Sequence, residues 1–248
     1  TESPYRLAIG GVEIALSTSA ALAASLLERC RGYESTDQRP ALELTFASVE
    51  NFAPPRPLGR AYPELGCVGL SDTHYELWRN DCHGTLEVPA APDEPVVATF
   101  SGKDHRAPLE AVLRVCLAST LPRVGGLLLH SSGVTYNGQA FVFSGPSGAG
   151  KTTVARLLRD AAPTSCPLGD DLTILRPGND GGIRAHATPF AGELDPAPRH
   201  DAPVAGVHFL VHSGRHARRA LPGRDLLLRS ILRNTLVYVV ERTAAARV

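Results

Sequence analysis

The run Gly145-Pro146-Ser147-Gly148-Ala149-Gly150-Lys151-Thr152 constrains this chain more than any other stretch. It matches G-x-x-x-x-G-K-[ST], the pattern of a phosphate-binding loop. In such a loop consecutive main-chain N–H groups converge on an anion, and glycine lets the backbone approach without a Cβ in the way. A helix starting at the lysine adds the positive end of its dipole. The pattern gains meaning from its context, a strand before and a helix after. Ala140-Phe141-Val142-Phe143 reads as that strand, and Val154, Leu157, Leu158 and Ala161 recur as one helical face. The chain has two lysines, Lys103 and Lys151, among 25 basic residues. A chain that otherwise uses arginine keeps a compact ammonium where a phosphate would sit. The expected nucleotide-binding set is Gly145, Pro146, Ser147, Gly148, Ala149, Gly150, Lys151, Thr152 and Thr153. Lys151 would reach the β- and γ-phosphates, and the Thr152 hydroxyl would sit on Mg²⁺.

Two neighbouring features narrow the reading. Val134-Thr135-Tyr136 and Gln139-Ala140-Phe141 flank Asn137-Gly138, the strongest short-range hairpin signal. The strand entering the loop should therefore pair antiparallel with the strand before it. In common nucleotide-binding sheets that strand is parallel and reached through helical crossovers. The acidic partner is also placed unusually. Gly169-Asp170-Asp171 precedes the apolar Leu172-Thr173-Ile174-Leu175 instead of following such a run. Beside a phosphate loop, one carboxylate can hold Mg²⁺ and the other can take the proton of an attacking hydroxyl.

Around this centre the chain reads as one large or two small domains in 248 residues. Residues 5–16 suggest two strands about a Gly10-Gly11 turn, and Ser17-Thr18-Ser19 offers caps for a helix to about Cys30. Short strands follow near 42–46, 75–78, 85–88 and 96–100, with a Pro-rich loop at Pro54, Pro55 and Pro57. This is a small, mostly antiparallel α+β region. Residues 107–121 form a helix with Leu109, Val112, Leu113, Cys116 and Leu117 on one face, stopped by Pro122. Beyond the acidic pair come a turn at 178–182, a strand at 183–189, a polar loop at 196–203, a strand at 204–211, a basic run at 212–219 and a helix capped by Asp225. The expected division is a small α+β region, 1–104, before a catalytic domain, 105–248.

Composition bounds the partners. Formal net charge is zero, which argues against a nucleic-acid role. No apolar run approaches a membrane span, so no membrane is expected. Cys30, Cys67, Cys82, Cys116 and Cys166 form no C-x-x-C pair, which points to reduced thiols and a cytoplasmic protein. Asp81-Cys82-His83 with Cys67 and His74 fits no standard zinc spacing. The first residues, TESPYRLAIG, carry no basic-then-apolar signal pattern, and a chain without Met is expected not to start naturally at residue 1.

His130 on a strand, the hairpin, the loop and then Gly-Asp-Asp before a strand together resemble the C-terminal catalytic domain of HPr kinase/phosphorylase. The likeness covers about residues 105–240. It looks strongest to the HPr-kinase-related proteins of lasso-peptide and similar modified-peptide gene clusters, whose Thr-Pro-Phe-x-Gly-Glu segment is similar to residues 188–193. The resemblance implies a mixed, largely antiparallel α/β sheet with a P-loop, related to phosphoenolpyruvate carboxykinase. It implies an ATP- and Mg²⁺-dependent kinase acting on a serine hydroxyl of a peptide or protein, in a chain that can assemble with copies of itself. It makes Asp170 the general base, puts Thr152 and Asp171 on Mg²⁺, adds Glu193 as a further metal ligand, and sets His130 and Lys151 beside the transferred phosphoryl group. Two departures stand out: Ser131 follows His130 where the family has Gly, and no Leu-Glu-Ile-Arg-Gly segment is present. HPr as acceptor and the reverse phosphorolysis are therefore not carried over. Two other readings stay open, a small-molecule kinase of the carboxykinase type and a nucleotide-binding regulator that transfers nothing.

Overall fold

The structure is a computed structural model that describes residues 4–55, 65–190, 192–194, 199–214 and 217–237. Pro57, residues 196–198 of the polar run, and 215–216 of the basic run lie outside the described residues. The chain is mixed α/β and divides into two compact units, 1–125 with 237–248, and 126–236.

The first unit holds β1 (Tyr5–Ile9), β2 (Val12–Ser17), α1 (Ala20–Arg29), β3 (Leu42–Ser48), β4 (Gly66–Gly69), β5 (His74–Arg79), β6 (Cys82–Glu87), β7 (Val96–Gly102) and α2 (Arg106–Thr120). Its strands form one sheet in the order β1-β2-β3-β7-β6-β5-β4. The β2–β3 and β3–β7 pairs are parallel, and the remaining pairs are antiparallel. Ser19 caps α1 by accepting from the Leu22 N–H at 3.4 Å. The apolar face of α2 buries Leu109, Val112, Leu113, Cys116 and Leu117, and the helix packs on β3 and β7. That packing moves the boundary between units to Gly125, later than the 104/105 division the motifs suggested. After α2 a 3-10 turn, Leu121–Val124, ends at Gly125 with φ 74°.

The second unit holds β8 (Leu127–Tyr136), β9 (Gln139–Ser144), α3 (Lys151–Ala161), β10 (Cys166–Gly169), β11 (Leu172–Pro177), β12 (Ile183–His186), β13 (Asp201–Phe209) and α4 (Arg224–Leu232). The hairpin forms as its sequence demands: Asn137 and Gly138 have φ 48° and 74°, the two positive values of a type I′ turn. Five strands, β8-β11-β12-β13-β9, return to β8 and close a ring, with β10 added beside β8. Only β9–β13 is parallel among these pairs. Closure depends on the length of β8. Its residues 127–130 pair with β11, and residues 131–136 pair with β9. The ring encloses Leu129, Ala140, Val142, Leu168, Ala185 and Ala202.

Several expected bounds change for physical reasons. β13 starts at Asp201, inside the expected loop, because Asp201 pairs with Arg184 at 2.5 Å and Ala202 enters the core. β12 ends at His186, since Thr188 turns away to donate its N–H to Leu168 O at 3.2 Å. Asp225 stands in the first turn of α4, and Gly223 holds the cap position. α3 seats itself through Lys151 and Ala155 with Leu158 partly buried, while Leu157 is 63% exposed. Small Ala155 lets the helix approach β8, and this tilts the expected apolar face outward.

Candidate functional site

The register of β8 assembles the site. β10 and β11 both run antiparallel to β8 and act as one strand interrupted at Asp170-Asp171. Gly169 pairs with Gly133, and Leu172 pairs with His130. Across the interruption the Ser131 N–H bonds Asp171 O at 3.1 Å. On its other side Ser131 pairs with Ser144, the last residue of β9 and the one before the glycine loop. One row of β8 thus separates the acidic pair from the loop. Hydroxyls lock the row: Ser144 Oγ donates to His130 O at 2.9 Å, and Ser132 Oγ donates to Lys151 O at 2.7 Å. All three serines are fully buried.

Loop 145–150 runs from β9 to the first residue of α3. Gly145, Gly148 and Gly150 have φ 146°, 77° and 95°. A Cβ on Gly145 would also lie 2.8 Å from Leu210 O. Pro146, Ser147 and Gly148 are exposed. Gly150 stands at the cap of α3 with no side-chain hydrogen bond, so no side chain caps the opening turn of the helix. Lys151 is 7% exposed. Its ammonium donates to Gly145 O at 3.0 Å and Pro146 O at 3.1 Å, folding back over the loop. Burial pushes the Lys151 pKa down, and the nearby Asp171 carboxylate opposes that shift. A buried ammonium held by two carbonyls is well suited to meet a further anion.

The two aspartates have different surroundings. Asp170 is 5% exposed, and its Oδ1 and Oδ2 accept the N–H groups of Gly192 at 2.9 Å and Glu193 at 2.7 Å. The side chain of Asp171 is about a third exposed and lies 3.5 Å from His130 Nδ1. Thr152 is half-buried in the first turn of α3, and Thr153 is exposed. Glu193 pairs with Arg156 of α3, so its carboxylate is engaged there. The structure therefore gathers loop 145–150, Lys151, His130 and Asp171 about β8, turns Asp170 toward the Gly192-Glu193 main chain, and turns the Glu193 carboxylate to Arg156 of α3.

Sequence reasoning missed several residues here. Ser131, Ser132 and Ser144 are hydroxyls at buried strand positions, and polar interruptions in the apolar Leu127-Leu128-Leu129 and Phe141-Val142-Phe143 runs were the available signal. His212 of the basic run reaches the loop, with Nε2 2.7 Å from Gly148 O. Thr188, which opens the 188–193 segment singled out by family likeness, donates its hydroxyl to Leu172 O at 2.9 Å, a contact with no signal of its own in the sequence.

Fold and site together define a mixed α/β protein in which a glycine loop, a buried lysine and an acidic turn share one strand row. Among protein-family models, residues 108–202 match the family described as SynChlorMet cassette protein ScmC. That stretch includes most of α2, the glycine loop, the acidic pair and residues 188–194. A search of curated proteins finds no match.

Proposed function

We propose that the chain is an ATP-dependent kinase that transfers the γ-phosphoryl group to a serine hydroxyl of a peptide or protein. The observation that carries this reading is the shared row of β8, with loop 145–150 and Lys151 on one side and Asp171 on the other. A loop alone suits any nucleotide binder; a carboxylate facing the same lysine suits transfer to a hydroxyl. The resemblance to the catalytic domain of HPr kinase/phosphorylase supports the same assignment.

In this reading the amides of residues 147–152 and the Lys151 ammonium hold the β- and γ-phosphates. The serine oxygen attacks the γ-phosphorus, the bond from that phosphorus to the β–γ bridging oxygen breaks, and ADP leaves. The hydroxyl proton passes to an aspartate of the acidic turn, giving phosphoserine and ADP in balance. His130, 3.5 Å from Asp171, orients that carboxylate. The hydroxyl of Thr152 and the carboxylate of Asp171 are hard oxygen donors of the kind Mg²⁺ takes, and they would hold it. Glu193 would first have to leave Arg156. When bound, Mg²⁺ supplies charge neutralisation on the phosphates.

The test is label transfer from γ-³²P-ATP to a library of serine-containing peptides, with the wild type and Lys151→Met. Phosphoserine from the wild type and none from the variant supports the kinase. ATP bound with no transfer to any peptide favours the regulator; transfer to small hydroxy or carboxylate compounds alone favours the carboxykinase type.

A further inference from the structure

Residues 188–190 and 192–194 are built onto the acidic turn. Thr188 bonds main chain on both flanks of the aspartates, taking Leu168 O with its N–H and Leu172 O with its hydroxyl. Four residues later the main chain reaches Asp170, whose two carboxylate oxygens accept from Gly192 and Glu193. Contact there is close: a Cβ on Gly192 would stand 2.8 Å from each oxygen and 3.0 Å from Cγ. Glu193 then pairs with Arg156 of α3, and Leu194 is 1% exposed in a cluster with Val134 and Ala155. The segment is tied first to the acidic turn and next to the helix that follows the glycine loop. Asp170 is the joint between them, with both oxygens committed to main-chain donors in a buried place.

We propose that Asp170 is a positioning residue, clamping the Gly192-Glu193 backbone, and that Asp171 is the carboxylate the pair presents to the phosphates. The second half rests on the kinase reading; the clamp does not. The assignment departs from family likeness, which made Asp170 the general base: here its two oxygens hold main chain instead. It also explains the glycine at 192, where a side chain would displace the carboxylate.

The experiment uses the full chain and three variants, Asp170→Asn, Gly192→Ala and Asp171→Asn. Hydrogen exchange of segment 188–194 reads the clamp. Binding of a fluorescent ATP analogue with Mg²⁺ reads the loop, and kcat and KM for the peptide library read the chemistry. Asp170→Asn removes one acceptor oxygen and should raise exchange at the Gly192 and Glu193 amides about tenfold or more. It should leave the nucleotide Kd within about threefold and show mainly a raised KM. Gly192→Ala attacks the same contact from the other side and should give the same exchange signature, which keeps the test open if Asp170→Asn does not fold. Asp171→Asn should leave exchange unaltered and lower kcat about 100-fold or more. Unchanged exchange in Gly192→Ala overturns the clamp. Loss of kcat about 100-fold in Asp170→Asn with normal exchange makes Asp170 the reacting carboxylate and overturns the proposal. A wild type that binds no ATP analogue sinks the kinase reading and the Asp171 assignment with it, while exchange still decides the clamp.

Discussion

Lys151 shows how much a single side chain can depend on its position. Its ammonium is buried, yet it bonds two carbonyls of the loop it would use. An anion entering the loop would compete for those donors and relieve the cost of burying the charge. Lys151→Met should weaken binding of an ATP analogue by about 10- to 100-fold, the worth of one charge-assisted contact. Isothermal titration would show this, and an unchanged Kd would remove Lys151 from the nucleotide. Gly145 offers a second test at this scale. Its φ is 146°, and a Cβ there would meet Leu210 O at 2.8 Å, so alanine is both strained and crowded. Gly145→Ala should cost about 1–3 kcal/mol in urea unfolding.

At the scale of elements, β12 and β13 carry a pH response. His186 is pushed below the ordinary imidazole range by burial, opposed by Asp201 and reinforced by Arg176 and Arg184. Burial also lowers His208, with Arg218 adding to it, and its ring stacks 5.3 Å from that of Phe143. Both rings therefore bind a proton less readily when folded than when unfolded. As pH falls through about 6.5 the unfolded chain takes up the extra protons, so stability is full above that value and declines below it. The urea midpoint should fall between pH 7.5 and 5.5, and His186→Gln and His208→Gln should each shrink that fall. A fall of equal size in both variants would show that other groups cause it.

Elements also differ in how plainly the sequence announced them. The hairpin was legible because Asn137-Gly138 specifies its turn locally. α2 was legible because five apolar residues, Leu109 to Leu117, keep one helical face within a helix of fifteen residues. β10 was not, since Cys166-Pro167-Leu168-Gly169 is short and shows no alternation. Ring closure was also hidden: it depends on β8 pairing with β11 and β9 over different residues, and no local pattern encodes that. Loop and aspartates were visible as motifs, whereas the split between Asp170 and Asp171 depends on main-chain donors 22 and 23 positions away.

For the whole molecule, two units with separate cores should respond separately to damage. The single Trp, Trp78 on β5, reports on the first unit alone. Leu129, fully buried in the ring, belongs to the second. Leu129→Ala should destabilise that unit by about 2–5 kcal/mol. Hydrogen exchange across β8 and β9 should then rise while the Trp78 fluorescence transition in urea stays where it was. If both move together, the units unfold as one.

The interrupted strand beside β8 works as a ruler. The distance from loop to acidic turn is set by strand pairing, so the 162–165 connection between α3 and β10 can change length without altering it. Two residues inserted there should leave the phosphoryl transfer proposed above intact. One residue inserted between His130 and Gly133 should abolish it, because each later side chain of β8 would face the opposite side of its sheet. Relatives of this chain are therefore better sought by a fixed interval within β8 than by a fixed interval between lysine and aspartate.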